Sequence, residues 1–267
     1  MALYPPEFSA VATMRVDVLG SSSSIPRPGR ACSSYLVRSN QTSLVLDLGT
    51  GALANLRKIV DYRSLDAVVI SHMHADHFLD VIPLRYALKY GDGPRGERTL
   101  LWLPPGGEAA LRAAITAFPP EGTDDFLDEV FHVREYDPDS TLRISALSLS
   151  FARGPHFIDT YAIRVEGDGA TLCYSADTAP SDAVTALAHD CDLFICECTL
   201  GLKRETSAMR GHLNAYEAGE MAQAARVRRL ILTHYGNDTN PGDIEAAAAS
   251  RFSGPCAIID DGSALRL

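Results

Sequence analysis

SHMHADH, residues 71–77, carries three of the chain's eight histidines and one carboxylate. It follows LDAVVI, residues 65–70, a short unbroken apolar run of the kind expected for a strand buried on both faces. Side chains two apart in extended chain point the same way, so His72 and His74 share one side. Asp76 and His77 follow where the chain turns and can approach from another side. H-x-H-x-D-H therefore offers four metal-binding groups from one loop. The zincin pattern H-E-x-x-H differs, because it needs two histidines one helical turn apart. Packing alone gives no reason for such a grouping.

A metal centre needs further donors from other strand ends, and three stand in the right context. His156 lies in RGPHF after an apolar run and a Gly-Pro turn, Asp177 in YSADT after TLCYSA, and His234 in LTHYG after LIL. Each is a polar residue delivered at the carboxyl end of an apolar strand, where open α/β sheets collect ligands. Seven donors exceed what one tetrahedral ion takes and suit two ions sharing a carboxylate. His132 and His189 lie outside the pattern and read as ordinary histidines.

Composition narrows the class. With 267 residues, 46% hydrophobic and 22% charged, the chain has the material for one large α/β unit with a packed core. Lys+Arg 24 against Asp+Glu 34 gives a net charge of −10, which disfavours a surface built to grip nucleic acid. Bound divalent cations would reverse that sign locally and admit a small anionic substrate. The six cysteines form no C-x-x-C pair and no zinc-ribbon spacing, and Cys196 and Cys198 read as core thiols. No apolar run reaches the ~18–20 residues of a membrane span. Residues 1–13 read as a flexible leader without secretory character, so a cytoplasmic protein is expected.

Strands are predicted at MRVDVLG, ACSSYLVR, TSLVLDLG, LDAVVI and TLLWLP, and later at TLRISALSLSFA, TYAIRVEG, ATLCYSA, DLFICE, RRLILTH and CAIIDDG. Helices are predicted at GALANLRKIV, PLRYALKY capped by Asp80, GEAALRAAITAF, DAVTALAHD, AYEAGEMAQAARV capped by Asn214, and DIEAAAASRF. FLDEVFHVREY has no clear type. Strands flanked by helices in both halves predict stacked layers with the helices outside, and no linker divides residues 14–267.

The ordered set H-x-H-x-D-H, lone His, S-A-D-T and L-T-H resembles the metallo-β-lactamase superfamily from about Met14 to Gly262. The resemblance implies a single-domain αββα sandwich with two divalent metal ions at one edge. Zinc is expected first, with manganese or iron possible at His/Asp sites. By that resemblance His72, His74 and His156 hold one ion, Asp76, His77 and His234 the other, and Asp177 bridges. The segment RGHLNAYEAGEMAQAARVRRLILTHY (210–235) resembles ribonuclease Z and its smaller phosphodiesterase relatives, in which an extra histidine acts on the leaving group. His212 matches it. ICECTL (195–200) resembles that branch's H-E-A-T segment, with Glu197 at the glutamate and Cys196 in place of the histidine. DLGTG (47–51) resembles the D-C-G-E-G turn, which makes Asp47 a carboxylate that orients a ligand histidine.

The implied reaction is hydrolysis by hydroxide held between the two cations, with Asp76 and Asp177 as its orienting carboxylates and His212 as general acid. Only twenty residues (157–176) separate His156 from Asp177, too few for the tRNA-gripping arm of ribonuclease Z. The motif order and loop lengths resemble the small bacterial phosphodiesterase relatives, and that resemblance implies a small phosphodiester such as a cyclic nucleotide as the substrate. Ser22, Arg27 and Arg30, in and behind the serine run 21–24, are candidate phosphate contacts. A tRNA 3′-end endonuclease, a lactonase or thioester hydrolase, and a non-catalytic metal-binding scaffold are the alternatives. A homodimer is implied by the resemblance alone.

Overall fold

The computed structural model describes residues 14–40, 42–93, 96–117, 126–207, 210–236 and 238–267; the leader expected at 1–13 lies outside them. The first half runs β1 (Arg15–Gly20), β2 (Ser34–Ser39), β3 (Thr42–Leu46), α1 (Ala52–Ile59), β4 (Ala67–Val69), α2 (Ala75–Phe78), α3 (Val81–Tyr90), β5 (Thr99–Leu103), α4 (Gly107–Thr116) and β6 (Phe131–Glu135). The second half runs β7 (Leu142–Ile144), β8 (Leu147–Gly154), β9 (Thr160–Gly167), β10 (Ala170–Tyr174), α5 (Asp182–Leu187), β11 (Leu193–Glu197), α6 (Ala215–Ala224), β12 (Leu230–Thr233), α7 (Pro241–Ala249), β13 (Cys256–Ile258) and β14 (Ala264–Arg266).

Two seven-stranded sheets form, in the orders β14-β1-β2-β3-β4-β5-β6 and β13-β12-β11-β10-β9-β8-β7. Period-2 alternation assigns each strand face to a layer. Leu44 and Leu46 of β3 enter the core between the sheets with Ile163, Leu172 and Ile195, whereas Val45 turns outward to Leu53, Leu56 and Leu84 of the first helical layer. Phe194 and Cys196 of β11 likewise face α6 and α7 at Ala218, Ala222 and Ile244. The result is four layers, αββα. Truncating a buried residue such as Leu46 to alanine would cost about 2–5 kcal/mol.

Strand direction places the site. β3, β4 and β5 are mutually parallel, as are β10, β11 and β12, so their carboxyl ends share one edge. β8 joins that edge because both it and β10 run antiparallel to β9.

Four elements differ from the sequence-based expectation. TLRISALSLSFA is a hairpin rather than one strand, because Ser145 takes a positive φ of 49° and turns β7 onto β8. FLDEVFHVREY divides into a turn and β6. Asp80 precedes α3, but its carboxylate accepts from the Leu53 N–H instead of capping its own helix. After β13 the chain crosses back, and β14 pairs with β1 in the other sheet. Asn214 does cap α6, in a reciprocal capping box with Glu217. β9 and β10 are joined by the two-residue turn Asp168-Gly169, both with positive φ, so a tight hairpin takes up 160–174 of the residues between His156 and Asp177.

Candidate metal centre

The turn after β3 sets the floor. Gly49 lies so close to the 71–77 loop that a Cβ there would sit 2.0 Å from the Asp76 carbonyl oxygen. The Leu48 N–H donates to the His77 carbonyl at 2.7 Å, tying the turn to the loop. Asp47 has φ 54°, and His234 and Ala176, which precedes Asp177, take similar values of 54° and 50°. Left-handed backbone at non-glycine positions is costly and clusters at functional turns.

The structure brings all seven expected ligands together. One candidate ligand atom from each of His72, His74, His156 and Asp177 falls within 4.8 Å of the others, and the same holds for Asp76, His77, Asp177 and His234. Asp177 belongs to both groups. Within them, His156 Nε2 lies 3.0 Å from His74 Nδ1, and His77 Nε2 lies 3.3 Å from His234 Nε2. Asp76 Oδ2 lies 3.2 Å from His234 Nε2.

Outer hydrogen bonds determine what these atoms present. Ser71 Oγ donates to Asp47 Oδ2 at 2.8 Å and therefore accepts from His72 Nδ1 at 3.0 Å. Nδ1–H of His77 donates to Asp47 Oδ2 at 2.7 Å, and that of His156 to the Gly211 carbonyl at 2.7 Å. Thr199 Oγ1 donates to Glu197 Oε2 at 2.7 Å and accepts from His234 Nδ1 at 2.7 Å. With each Nδ1 committed as donor, the neutral form of each of these rings turns an Nε2 lone pair inward. Among the described residues, His72 Nε2 and Asp177 Oδ1 are buried with no hydrogen-bond partner. Orphaned acceptors beside carboxylates are what a cation satisfies, so the residues fit a metal pair.

Electrostatics agree. Burial, joined by the neighbouring imidazoles, holds His72, His74 and His156 below the usual histidine range against the pull of Asp177, leaving them in the neutral ligand form. Burial opposes ionisation of Asp76 and Asp177 too. The surrounding histidines outweigh it and keep both carboxyls below the usual carboxylate range. For His77, burial is overcome by Asp177 and Asp47, which raise it well above the usual value.

A third cluster joins Glu197, His212 and His234. His212 Nδ1 lies 2.9 Å from Glu197 Oε1, leaving its Nε2 free, and the same carboxylate holds the Thr178 and Thr199 amides. Burial lowers the His212 pKa, but the hydrogen bond and charge of Glu197 raise it to a net value above normal. Cys196 packs in the core against α6 and α7, where burial, then the Glu197 charge, keeps its thiol protonated.

At the serine run, the structure places the expected phosphate contacts Ser22, Arg27 and Arg30 as follows. Arg27 stacks 3.9 Å over the Tyr235 ring and pairs with Asp260, to which Arg30 is also bound. Ser22 is buried and its Oγ accepts from the Arg27 N–H. Both guanidiniums are committed to a scaffold beneath the loop, and Ser24 lines the cavity instead. Of the supporting residues Thr199, Tyr174 and Ser71, only Thr199 carries a signal in the sequence, as the counterpart of the last letter of the H-E-A-T segment.

Four layers with inward-facing acceptors at the shared strand edge define a metallo-hydrolase. Residues 42–235 match the family described as "Beta-lactamase superfamily domain". The chain belongs to that superfamily. It is 34% identical to "Uncharacterized protein ML1173" of Mycobacterium leprae over 94% of this chain and 88% of the relative. It is 33% identical to "Probable metallo-hydrolase YhfI" of Bacillus subtilis over 93% and 98%. The crystal structure of YhfI superposes with a TM-score of 0.84 at 26% identity, covering 96% of this chain and 100% of that one. Ribonuclease Z of Mycobacterium bovis is 27% identical over 93% and 96%. Among the described residues no helix is long and apolar enough to cross a membrane.

Proposed function

We propose that this metallo-hydrolase is a phosphodiesterase for small phosphodiesters, with a cyclic nucleotide the leading substrate. The reading rests on the cavity above the donor cluster. It measures about 310 Å³, at the small end of ligand sites, and His212 stands in its wall. The tight β9–β10 hairpin supports a small substrate, since it fills the span between His156 and Asp177.

His72, His74 and His156 would hold one ion, Asp76, His77 and His234 the other, with Asp177 shared; zinc is the first candidate and manganese or iron the next. When bound, such ions neutralise phosphate charge and bring the pKa of water toward ~7. Asp76 orients the attacking water. His212, with Nδ1 on Glu197, delivers its Nε2 proton to the departing oxygen. Glu197 holds the ring and stabilises its charged form. Six free cysteines, five of them buried, support a reducing compartment such as the cytoplasm.

The test is a panel with metal-reconstituted protein: a chromogenic diester, 3′,5′-cyclic nucleotides, precursor tRNA and a lactone. Turnover of the first two is expected. Precursor tRNA cut at one position without cyclic-nucleotide turnover would replace this reading with an endonuclease, for which the ribonuclease Z identity speaks. Lactone turnover alone would make it an acyl hydrolase, and inertness with bound metal a scaffold.

A further inference from the structure

The rim of the cavity differs from its floor. The floor is polar, with His74, Asp76, Asp177, His212 and His234, whereas Phe157 borders the same cavity and is 62% exposed. A single exposed apolar side chain is ordinary. Phe157 is unusual because its ring is seated. Its centroid lies 5.1 Å from that of His156 and 6.0 Å from that of His212. Gly211 passes so close that a Cβ on it would stand 2.8 Å from the ring. Glycine at 211 thus admits both the His156 hydrogen bond and the phenyl ring, while most of that ring stays in solvent. Among the described residues the outer part of this aromatic surface, beside the polar floor, is left in solvent, and a planar ring carried by the substrate would cover it.

We propose that Phe157 is a stacking platform for the nucleobase of the substrate. The inference rests on the phosphodiester reading above and narrows it to diesters carrying an aromatic base. Stacking is tolerant of base identity because every base has a π-face, and its loss weakens binding measurably. The platform sets affinity and selectivity and takes no part in proton transfer.

Calorimetric titration of the metal-loaded protein with adenosine 5′-monophosphate and with ribose 5-phosphate tests it, since the probes differ only by the base. The wild type is expected to bind the nucleotide at least tenfold more tightly. Phe157→Ala is expected to weaken the nucleotide roughly ten- to a hundredfold while leaving ribose 5-phosphate and metal content unchanged. Phe157→Trp is expected to retain the preference. Equal wild-type affinity for both probes, an unmoved nucleotide affinity in Phe157→Ala, or parallel loss of both probes would overturn the platform. A protein that prefers the nucleotide through Phe157 yet hydrolyses no diester would sink the proposed function and leave the platform standing. Diester turnover with equal probe affinities would do the reverse.

Discussion

Asp47 Oδ2 lies 2.7 Å from His77 Nδ1, and the same oxygen takes the hydroxyls of Ser71 and Tyr174, each at 2.8 Å. Through Ser71 it also reaches His72, so one buried carboxylate aligns a histidine of each ligand group. An Asp47→Asn side chain cannot accept from all these donors. Metal affinity should fall about 10–100-fold, read by competition with a chelator of known strength. Undiminished retention would show that Asp47 only fills the core.

Removal of the proposed proton donor would separate chemistry from metal binding. His212→Ala is expected to lower kcat about 10²–10⁴-fold with metal content unchanged. Because Glu197 outweighs burial and raises the His212 pKa, the acid form persists above the ordinary histidine range and is lost as pH rises through the raised value. The alkaline limb of kcat should therefore move to lower pH in Glu197→Gln. A limb that stays in place in a kcat–pH profile would remove Glu197 from the control of that proton.

Chelation should destabilise the fold as well as inactivate it. The clustered acceptors bind cations only when the strand ends are assembled, so bound metal favours the folded state by RT ln(1 + [M]/Kd), about 2.7 kcal/mol at a hundredfold excess over Kd. Differential scanning calorimetry with and without EDTA should show a lower Tm in the stripped protein and recovery on adding zinc or manganese. Identical transitions would contradict an occupied centre.

Arg27 is bonded within the scaffold of the serine loop. Its guanidinium bridges Asp260, the Tyr235 hydroxyl and Ser21 Oγ. Arg27→Ala should cost about 1–3 kcal/mol in chemical denaturation and leave KM for a small diester near its wild-type value. A raised KM at unchanged stability would return Arg27 to the binding site. The pairing also makes stability pH-dependent: burial raises the Asp260 carboxyl, but Arg27 and Arg30 hold it below the usual range. The stabilisation is present above the unfolded carboxyl's range and is lost as pH falls through the depressed value.

The layered fold was legible because each half repeats short apolar runs with flanking amphipathic helices. The errors came where a short run hid a turn. The segment 141–152 has no glycine or proline to mark its hairpin, and Ser145 supplies the positive φ unannounced. β14 was missed because three residues paired across to β1 leave almost no pattern of their own.

For the site, residue type and strand-end context singled out the seven side chains that the structure gathers, because few other roles demand histidine and aspartate at so many strand ends. The sequence by itself determined which groups are available. The tertiary structure decided their protonation and direction, since Asp47, Gly211 and Thr199 reach ligand histidines 30, 55 and 35 positions away and settle which nitrogen faces inward. It also decided that Arg27 and Arg30 spend their charge on Asp260. A guanidinium goes to the carboxylate that folding brings within hydrogen-bond distance, and no local pattern records which one that is.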